Sequence, residues 1–533
     1  MPSDVVVSPS DRWKNAGWPV LVALILLLFS WGLSQRNGAS DSDFGAHPDE
    51  GAHVVTSLMV RDYLATGLLA GQNPIAFSDD YYRRLPKVAL GHYPPGFYLL
   101  AGVWMLPAAT PGSIIGLMIA LSAGLGLVGY WCARQLSCGR SMAALASVAM
   151  VAHVEVQRYS AIVMSDVLLA TLLLAACLVF ARFLDRPTVM HALGFGLLAA
   201  AACLTKSTGL VLAMVPPLAI LITRRFHLLK NPRLWLAPLP VLLFALPWQL
   251  YAVGITKEGL ADATIASYLP MAVPFYSTGL LTKLGWVGVG SLIVGPFILR
   301  RDQRAVAAST ACCLAALAMA LLLLICIIPT GLTTRYLLPL VAPSIALFTA
   351  LAWRFWEQRS SRHVSTALVL TALAAIHLGF TLRMSPKISN GYSEAIQTAT
   401  EHLVEGQSTL ILSDARGEGA LISSGAFLLG TEGRTGSSWE TRRGTKLLAE
   451  SDWMGRGYET KFSSAAELES LLTDARIGSI ILEEGVPSPP RHLSAVIALT
   501  EQIATLRELT PQAAERATGA TTLRIFSIDS PSQ

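Results

Sequence analysis

Apolar runs close to the roughly 20 residues that a helix needs to cross a bilayer recur along most of this 533-residue chain. They are Gly17–Ser34, Ile114–Ala133, Met142–Val156, Asp166–Phe183, His191–Leu204, Thr208–Thr223, Leu234–Gly254, Leu281–Leu299, Ala305–Ile328, Tyr336–Trp353 and Val364–Leu382. Only 14% of the residues are charged against 53% hydrophobic, so the chain lacks the polar surface that keeps a globular protein in water. The reading is a mainly α, polytopic helix bundle of about eleven spans. The net charge of +5, spread in short basic clusters, gives no reason to expect a nucleic-acid partner. All seven cysteines lie in the apolar part, without zinc spacing or a CxxC pair, as small membrane-buried residues.

Orientation follows from the basic connectors. Arg134/Arg140, Arg182/Arg186, Arg224/Arg225/Lys230/Arg233, Arg300/Arg301/Arg304 and Arg354/Arg359/Arg362 share the side of Arg12 and Lys14 only if the further apolar stretch Pro94–Ala108 does not cross. That stretch is short and opens on Pro94-Pro95, so it reads as an interfacial or re-entrant helix. The N-terminus is then cytoplasmic, in the inner (cytoplasmic) membrane. The loop Gln35–Tyr93, the turn from Arg158 to Asp166, Lys206, the loop Ile255–Leu280 and Thr330–Arg335 all fall on the opposite face. The bundle is expected over residues 1–383 and an extracytoplasmic α/β domain over residues 384–533. In that tail, Thr409–Ser413 and Ile477–Leu482 read as buried strands, Thr521–Ile528 as a last strand, and Ala465–Ala475 and Ser494–Leu506 as helices. Gly417, Gly419 and Gly425 look loosely like a phosphate loop without its spacing, and read as ordinary loop glycines.

Residues able to do chemistry collect on the outer side. His47-Pro-Asp-Glu50 precedes an amphipathic helix over Gly51–Thr66, ended by Gly67, that suits the membrane surface. Asp49 is either the cap of that helix or a general base aimed at an acceptor hydroxyl, with Glu50 in the first turn. His92-Tyr93-Pro-Pro-Gly-Phe-Tyr98 either seats an interfacial helix or walls a cavity with the tips of His92 and Tyr93. Lys206 interrupts an apolar hairpin, where a cation costs roughly 3 kcal/mol on insertion scales and is a functional candidate. Arg335-Tyr336 opens the tenth run. Lys206 and Arg335, with Arg158 as a weaker third, suit a lipid-linked phosphate. Asp166 either orients one of them or caps its own helix.

In this order these features resemble the GT-C superfamily of polytopic glycosyltransferases. The likeness is to the branch containing protein O-mannosyltransferases, the lipid A aminoarabinose transferase and related bacterial membrane transferases, and it covers about Gly17 to Leu382. The resemblance implies that Asp49 is the catalytic base, with Glu50 as its neighbour or an acceptor contact. It also implies a polyprenyl-phosphate sugar donor whose phosphate is held by Lys206, Arg335 and Arg158, and an acceptor hydroxyl on a glycan, lipid or protein. His53 stands near the place where such proteins often carry an aromatic residue, and lines the expected cavity with His92, Tyr93, Asp166 and Tyr336. The expected reaction inverts the anomeric carbon, since one carboxylate and no second nucleophile are needed. Asp41-Ser-Asp43 has DxD spacing but reads as a solvated acidic loop, so no metal or other cofactor is expected. The competing reading is a transporter or flippase of a lipid-linked sugar, which would place charges near mid-membrane and show repeated halves.

Overall fold

A computed structural model describes residues 9–41, 43–300, 305–356, 362–387, 391–401, 403–430, 439–452, 455–509, 512–516 and 519–528. Eight of its helices are long and apolar enough to cross a membrane: Gly17–Arg36, Pro111–Gln135, Asp166–Asp185, Leu234–Glu258, Ile265–Leu299, Ala305–Ile327, Thr334–Phe355 and His363–Leu382. Three shorter apolar helices, Arg140–Ala152, Val189–Thr205 and Ser207–Thr223, occupy the remaining apolar runs. Helix Asp166–Asp185 sits at the centre, against Pro111–Gln135, Val189–Thr205 and Ala305–Ile327. Small residues let other helices approach closely in lipid: Gly126 and Gly129 of Pro111–Gln135 meet Val151 and Met150, Gly126 also meets Leu26, and Gly209 meets the backbone of Ala202. Large side chains such as Leu28, Phe244 and Phe297 remain exposed around the bundle, as a bilayer solvent demands.

The helix after Pro94-Pro95 spans only Gly96–Trp104, about 14 Å of helix, far short of the hydrocarbon thickness. Of the basic connector residues, Arg301, Arg304 and Arg359 lie outside the described residues, as do the side chains of Arg12, Lys14 and Arg362.

The C-terminal region builds a mixed sheet in the order Glu440–Arg443, Ser408–Leu412, Ile477–Glu484, Gly519–Ile528. The first three strands are parallel, with Leu412 opposite Leu482, and the last is antiparallel. Leu506–Glu508 and Gln512–Arg516 both pair with the far edge of Gly519–Ile528. The helix expected over Ser494–Leu506 is instead Arg491–Leu499, followed by a 3-10 turn and a strand starting at Leu506. Leu506 is drawn into the sheet by its pairing with Ile528, which local helical periodicity does not register.

The three tail glycines are not in a loop. They lie within helix Ala415–Gly430, which packs on helix Glu50–Asp62. Gly51 and Gly419 meet there backbone to backbone: a Cβ on Gly51 would lie 2.3 Å from the Gly419 carbonyl oxygen. The reading of Gly51–Thr66 as a helix lying open on the membrane surface is corrected by this contact. Every residue from Glu50 to Val60 is buried: Val54, Val55 and Leu58 share a core with the tail, while His53 meets Tyr98 and Thr56 accepts from the Ala89 N–H. Thr56 and Ser57 accommodate burial by donating their hydroxyls to the carbonyls of Ala52 and His53, both at 2.7 Å. After Asp62 the helix widens into a π-turn, Tyr63–Gly67. One hydrophobic core is therefore shared by the two regions, with Val54, Val55 and Leu58 packed in the same cluster as Ile411, Leu421 and Ile525.

Candidate active site

Helix Glu50–Asp62 begins one residue after Asp49, which occupies the N-cap position. Its side chain makes no capping hydrogen bond there. It turns away from the helix, and its Oδ2 accepts from the Tyr93 hydroxyl at 2.7 Å and from Nη1 of Arg335 at 3.2 Å. Asp49 thus stands at the N-cap position without capping the helix through its side chain, which faces the cavity instead. Arg335 reaches Asp49 because the chain breaks out of regular helix before it, where Thr333 caps the 3-10 turn Thr334–Leu340.

A second acid–cation pair adjoins the first. Lys206 sits in extended conformation at the break between Val189–Thr205 and the 3-10 turn Ser207–Ala213. Its Nζ donates to Asp166 Oδ1 at 2.6 Å, and Asp166 is the first residue of the central helix. The ring of Tyr336 joins the two pairs: Lys206 Nζ lies 5.4 Å and the Arg335 guanidinium carbon 5.7 Å from its centroid. Cations pulled this close need compensating charge, which the two carboxylates supply.

These groups wall one cavity of about 590 Å³, lined by His47, Asp49, His92, Tyr93, Lys206, Arg335 and Tyr336 among others. Its rim continues into apolar side chains including Leu210, Leu324, Ile325 and Ile328. A polar end and an apolar flank in one cavity suit an amphiphile whose charged part meets Arg335 and Lys206. Two buried polar atoms without a partner, Arg335 Nε and Asp166 Oδ2, leave each pair with unused hydrogen-bonding capacity.

Burial pushes the Asp49 carboxyl up, but the Arg335 guanidinium, His47, His53 and the Tyr93 hydroxyl together outweigh it and hold Asp49 well below the usual carboxylate range. Burial, reinforced by Asp49, raises the Tyr93 phenol well above its ordinary value, so it stays a donor. Burial also lowers the imidazoles of His47 and His92, against the raising pull of neighbouring carboxylates. His53 is pushed down to about 4 by burial and is neutral at physiological pH.

Not every expected residue reaches the cavity. Glu50 is fully buried beneath it, bonded to the backbone N–H groups of Ala46 and Val163 and to Lys387. His53 is also buried behind the wall, with Nδ1 3.0 Å from the Tyr98 hydroxyl and its ring packed against Tyr93. Asp166 meets the cavity through Lys206. Arg158 does not line the cavity: it pairs with Glu155 at 3.0 Å, and Glu155 also holds Lys283 at 2.8 Å, so its charge is spent elsewhere. His47 is a titratable cavity residue to which the sequence reading gave no role, as it gave none to Gln249 or Thr208. Its Nδ1 accepts from the Asp49 N–H at 3.1 Å, which leaves Nε2 as the ring's other hydrogen-bonding atom. Its place two residues before Asp49 was the available signal. Among the described residues, no three His, Cys, Asp or Glu side chains converge as a metal-binding group, and the side chain of Asp41 lies outside them.

Residues 92–251 match a family described as dolichyl-phosphate-mannose-protein mannosyltransferase. The matched stretch contains His92, Tyr93, Asp166 and Lys206 but neither Asp49 nor Arg335. Two solved structures of ArnT from Cupriavidus metallidurans share the fold over nearly the whole chain. The form bound to undecaprenyl phosphate superposes with a TM-score of 0.59 at 15% identity, covering 95% of this chain and 98% of that one. The apo form gives 0.57 at 15% identity, covering 96% and 98%. No curated protein matches the sequence.

Proposed function

We infer that this chain, a polytopic membrane protein with the GT-C glycosyltransferase fold, moves a sugar from a polyprenyl-phosphate donor to an acceptor hydroxyl, inverting the anomeric carbon. The observation that carries this reading is the convergence of Asp49, Arg335 and Lys206 on one cavity with an apolar flank. The solved ArnT structure bound to undecaprenyl phosphate supports a lipid-phosphate ligand for this fold. The cavity opens at the outer face of the cytoplasmic membrane, with the N-terminus cytoplasmic. The acceptor is a glycan, lipid or protein hydroxyl.

In the proposed step the donor phosphate lies against Lys206 and Arg335, while its polyprenyl chain stays among apolar side chains. Arg335 gives Nη1 to Asp49 while its side chain lines the cavity, so one guanidinium can serve carboxylate and phosphate together. The arriving negative charge offsets the cations that depress Asp49, and so raises its affinity for a proton. Asp49 takes the proton of the acceptor hydroxyl as that oxygen bonds to the anomeric carbon. The bond from that carbon to the phosphate oxygen breaks on the opposite side, and polyprenyl phosphate leaves with the electron pair. Phosphate is a good leaving group, so it needs positive charge nearby more than a proton. The step needs no cofactor.

What supports transfer over transport is the position of the charges. Asp166 heads its helix, Lys206 separates two short ones and Arg335 precedes the regular part of its own, so all sit at helix ends. The test is an assay of the purified chain in vesicles with a polyprenyl-phosphate sugar and an extract of cell-envelope glycans, lipids and proteins as the source of acceptor. Wild type should release polyprenyl phosphate, and Asp49→Asn should lose about 10³-fold in turnover while still binding the donor lipid. Donor carried across the vesicle uncleaved would establish the transporter, and near-normal turnover by Asp49→Asn would remove the base.

A further inference from the structure

Glu50 follows Asp49 in the chain but belongs to a different piece of machinery. Its fully buried carboxylate accepts three hydrogen bonds, from Ala46 N–H at 3.0 Å, Val163 N–H at 3.1 Å and Lys387 Nζ at 3.2 Å. The first ties the turn that leads into Asp49. The second ties the segment three residues ahead of Asp166. The third ties the start of the tail. A buried carboxylate with these donors is a fixed point, because losing one leaves charge or a polar group unpaired in a medium of low dielectric.

Lys387 is held in turn. Its N–H donates to the Asn37 carbonyl at 2.8 Å, just beyond the first spanning helix. Its own carbonyl oxygen presses on Gly38, where a Cβ would lie 2.2 Å away, and Gly38 has a φ of +63° that favours glycine. On the other side of Glu50, the Gly51–Gly419 contact seats the tail helix directly on the first turn of the helix behind Asp49. Beyond that contact the tail grips the outer loop again: Lys87 Nζ donates to the Ala415 carbonyl at 3.2 Å, and Thr441 Oγ1 donates to the Arg84 carbonyl at 3.1 Å. The carboxyl ends of parallel strands, where an open α/β sheet commonly leaves a ligand crevice, are here occupied by this chain's own loop.

We propose that the C-terminal region is a positioning element for Asp49, acting through the buried Glu50–Lys387 strut and the Gly51–Gly419 contact. This rests on the reading of Asp49 as the base. Glu50 and Lys387 touch no substrate. They fix where the Asp49 backbone leaves the turn, and hence where its carboxylate meets the acceptor oxygen. Reaction rates are sensitive to displacements of about 1 Å in such a group.

The experiment uses the full chain in lipid nanodiscs, as wild type, Lys387→Met, Lys387→Arg and Glu50→Gln. Lys387→Met and Glu50→Gln should lower kcat about tenfold or more with the donor KM within about twofold, and Lys387→Arg should restore most of the loss. A readout independent of turnover is amide hydrogen exchange. Residues 45–52 should exchange about tenfold faster in Lys387→Met, with helix Pro111–Gln135 unchanged. Wild-type kcat and exchange in both uncharged variants would overturn the proposal. So would faster exchange throughout the spanning helices, which marks general loss of fold. Faster exchange confined to residues 45–52, in a protein whose wild type transfers no sugar, sinks the transferase reading and leaves the strut standing.

Discussion

The wall of the cavity and the seam beneath the tail begin one residue apart, at Asp49 and Glu50, yet they treat the same functional group in opposite ways. Asp49 keeps 21% of its side chain exposed and meets a phenol and a guanidinium that both face the cavity. Glu50 has no exposure and is saturated by two backbone donors and an ammonium. A carboxylate is made reactive by partners that another ligand can recruit, and made structural by partners that cannot leave. The two remaining cations of the original trio divide the same way: Lys206 lines the cavity, while Arg158 is taken up by Glu155.

That division can be broken by substitution. The largest effect after Asp49→Asn is expected from Arg335→Ala and Lys206→Ala, each losing on the order of 10²-fold in kcat/KM, chiefly through the donor. This contrasts with Lys387→Met, which should act on kcat. Steady-state kinetics with varied donor separates them, and unchanged donor KM and kcat in both alanine variants would take these cations out of the phosphate site.

A smaller effect is expected from pH. Because the folded Asp49 carboxyl titrates below its unfolded value, its ion pair is complete above about pH 4 and fades only as pH falls through the lower folded value. The kcat/KM of wild type should therefore show no acid limb from Asp49 between pH 5 and 7. Arg335→Ala removes the principal depressing charge, so an acid limb should move up towards that window. A profile that does not respond to Arg335→Ala would show that Asp49 is not the titrating base.

The smallest effect is expected from Arg158→Ala, within about twofold in donor KM, since Arg158 does not line the cavity and buried Glu155 keeps Lys283 as a partner. A large rise in donor KM would return Arg158 to the phosphate site.

Much of the bundle was legible because its solvent writes a coarse code: long apolar runs need no tertiary knowledge to be read. Lys206, Arg335 and Tyr336 were legible for a related reason, being polar residues at the ends of those runs, and Asp49 as an acid heading an amphipathic pattern in the outer loop. The roles of Glu50 and His53 were not. Their environments are made by Lys387, Val163 and Tyr98, which lie 45 to 337 residues away in sequence. The helix Glu50–Asp62 carried a true amphipathic pattern, but the pattern does not say whether water, lipid or protein meets the polar side. Here protein does. Gly419 was visible as a glycine, yet its purpose, a close approach to Gly51, exists only once the two helices meet.

The shared core has a consequence for biosynthesis. The core behind helix Glu50–Asp62 joins Leu58 to Leu523 and Ile525, which come much later in the chain. A ribosome therefore delivers Leu58 long before Leu523 and Ile525, and a product clipped between them keeps spanning helices while its shared core stays unfinished.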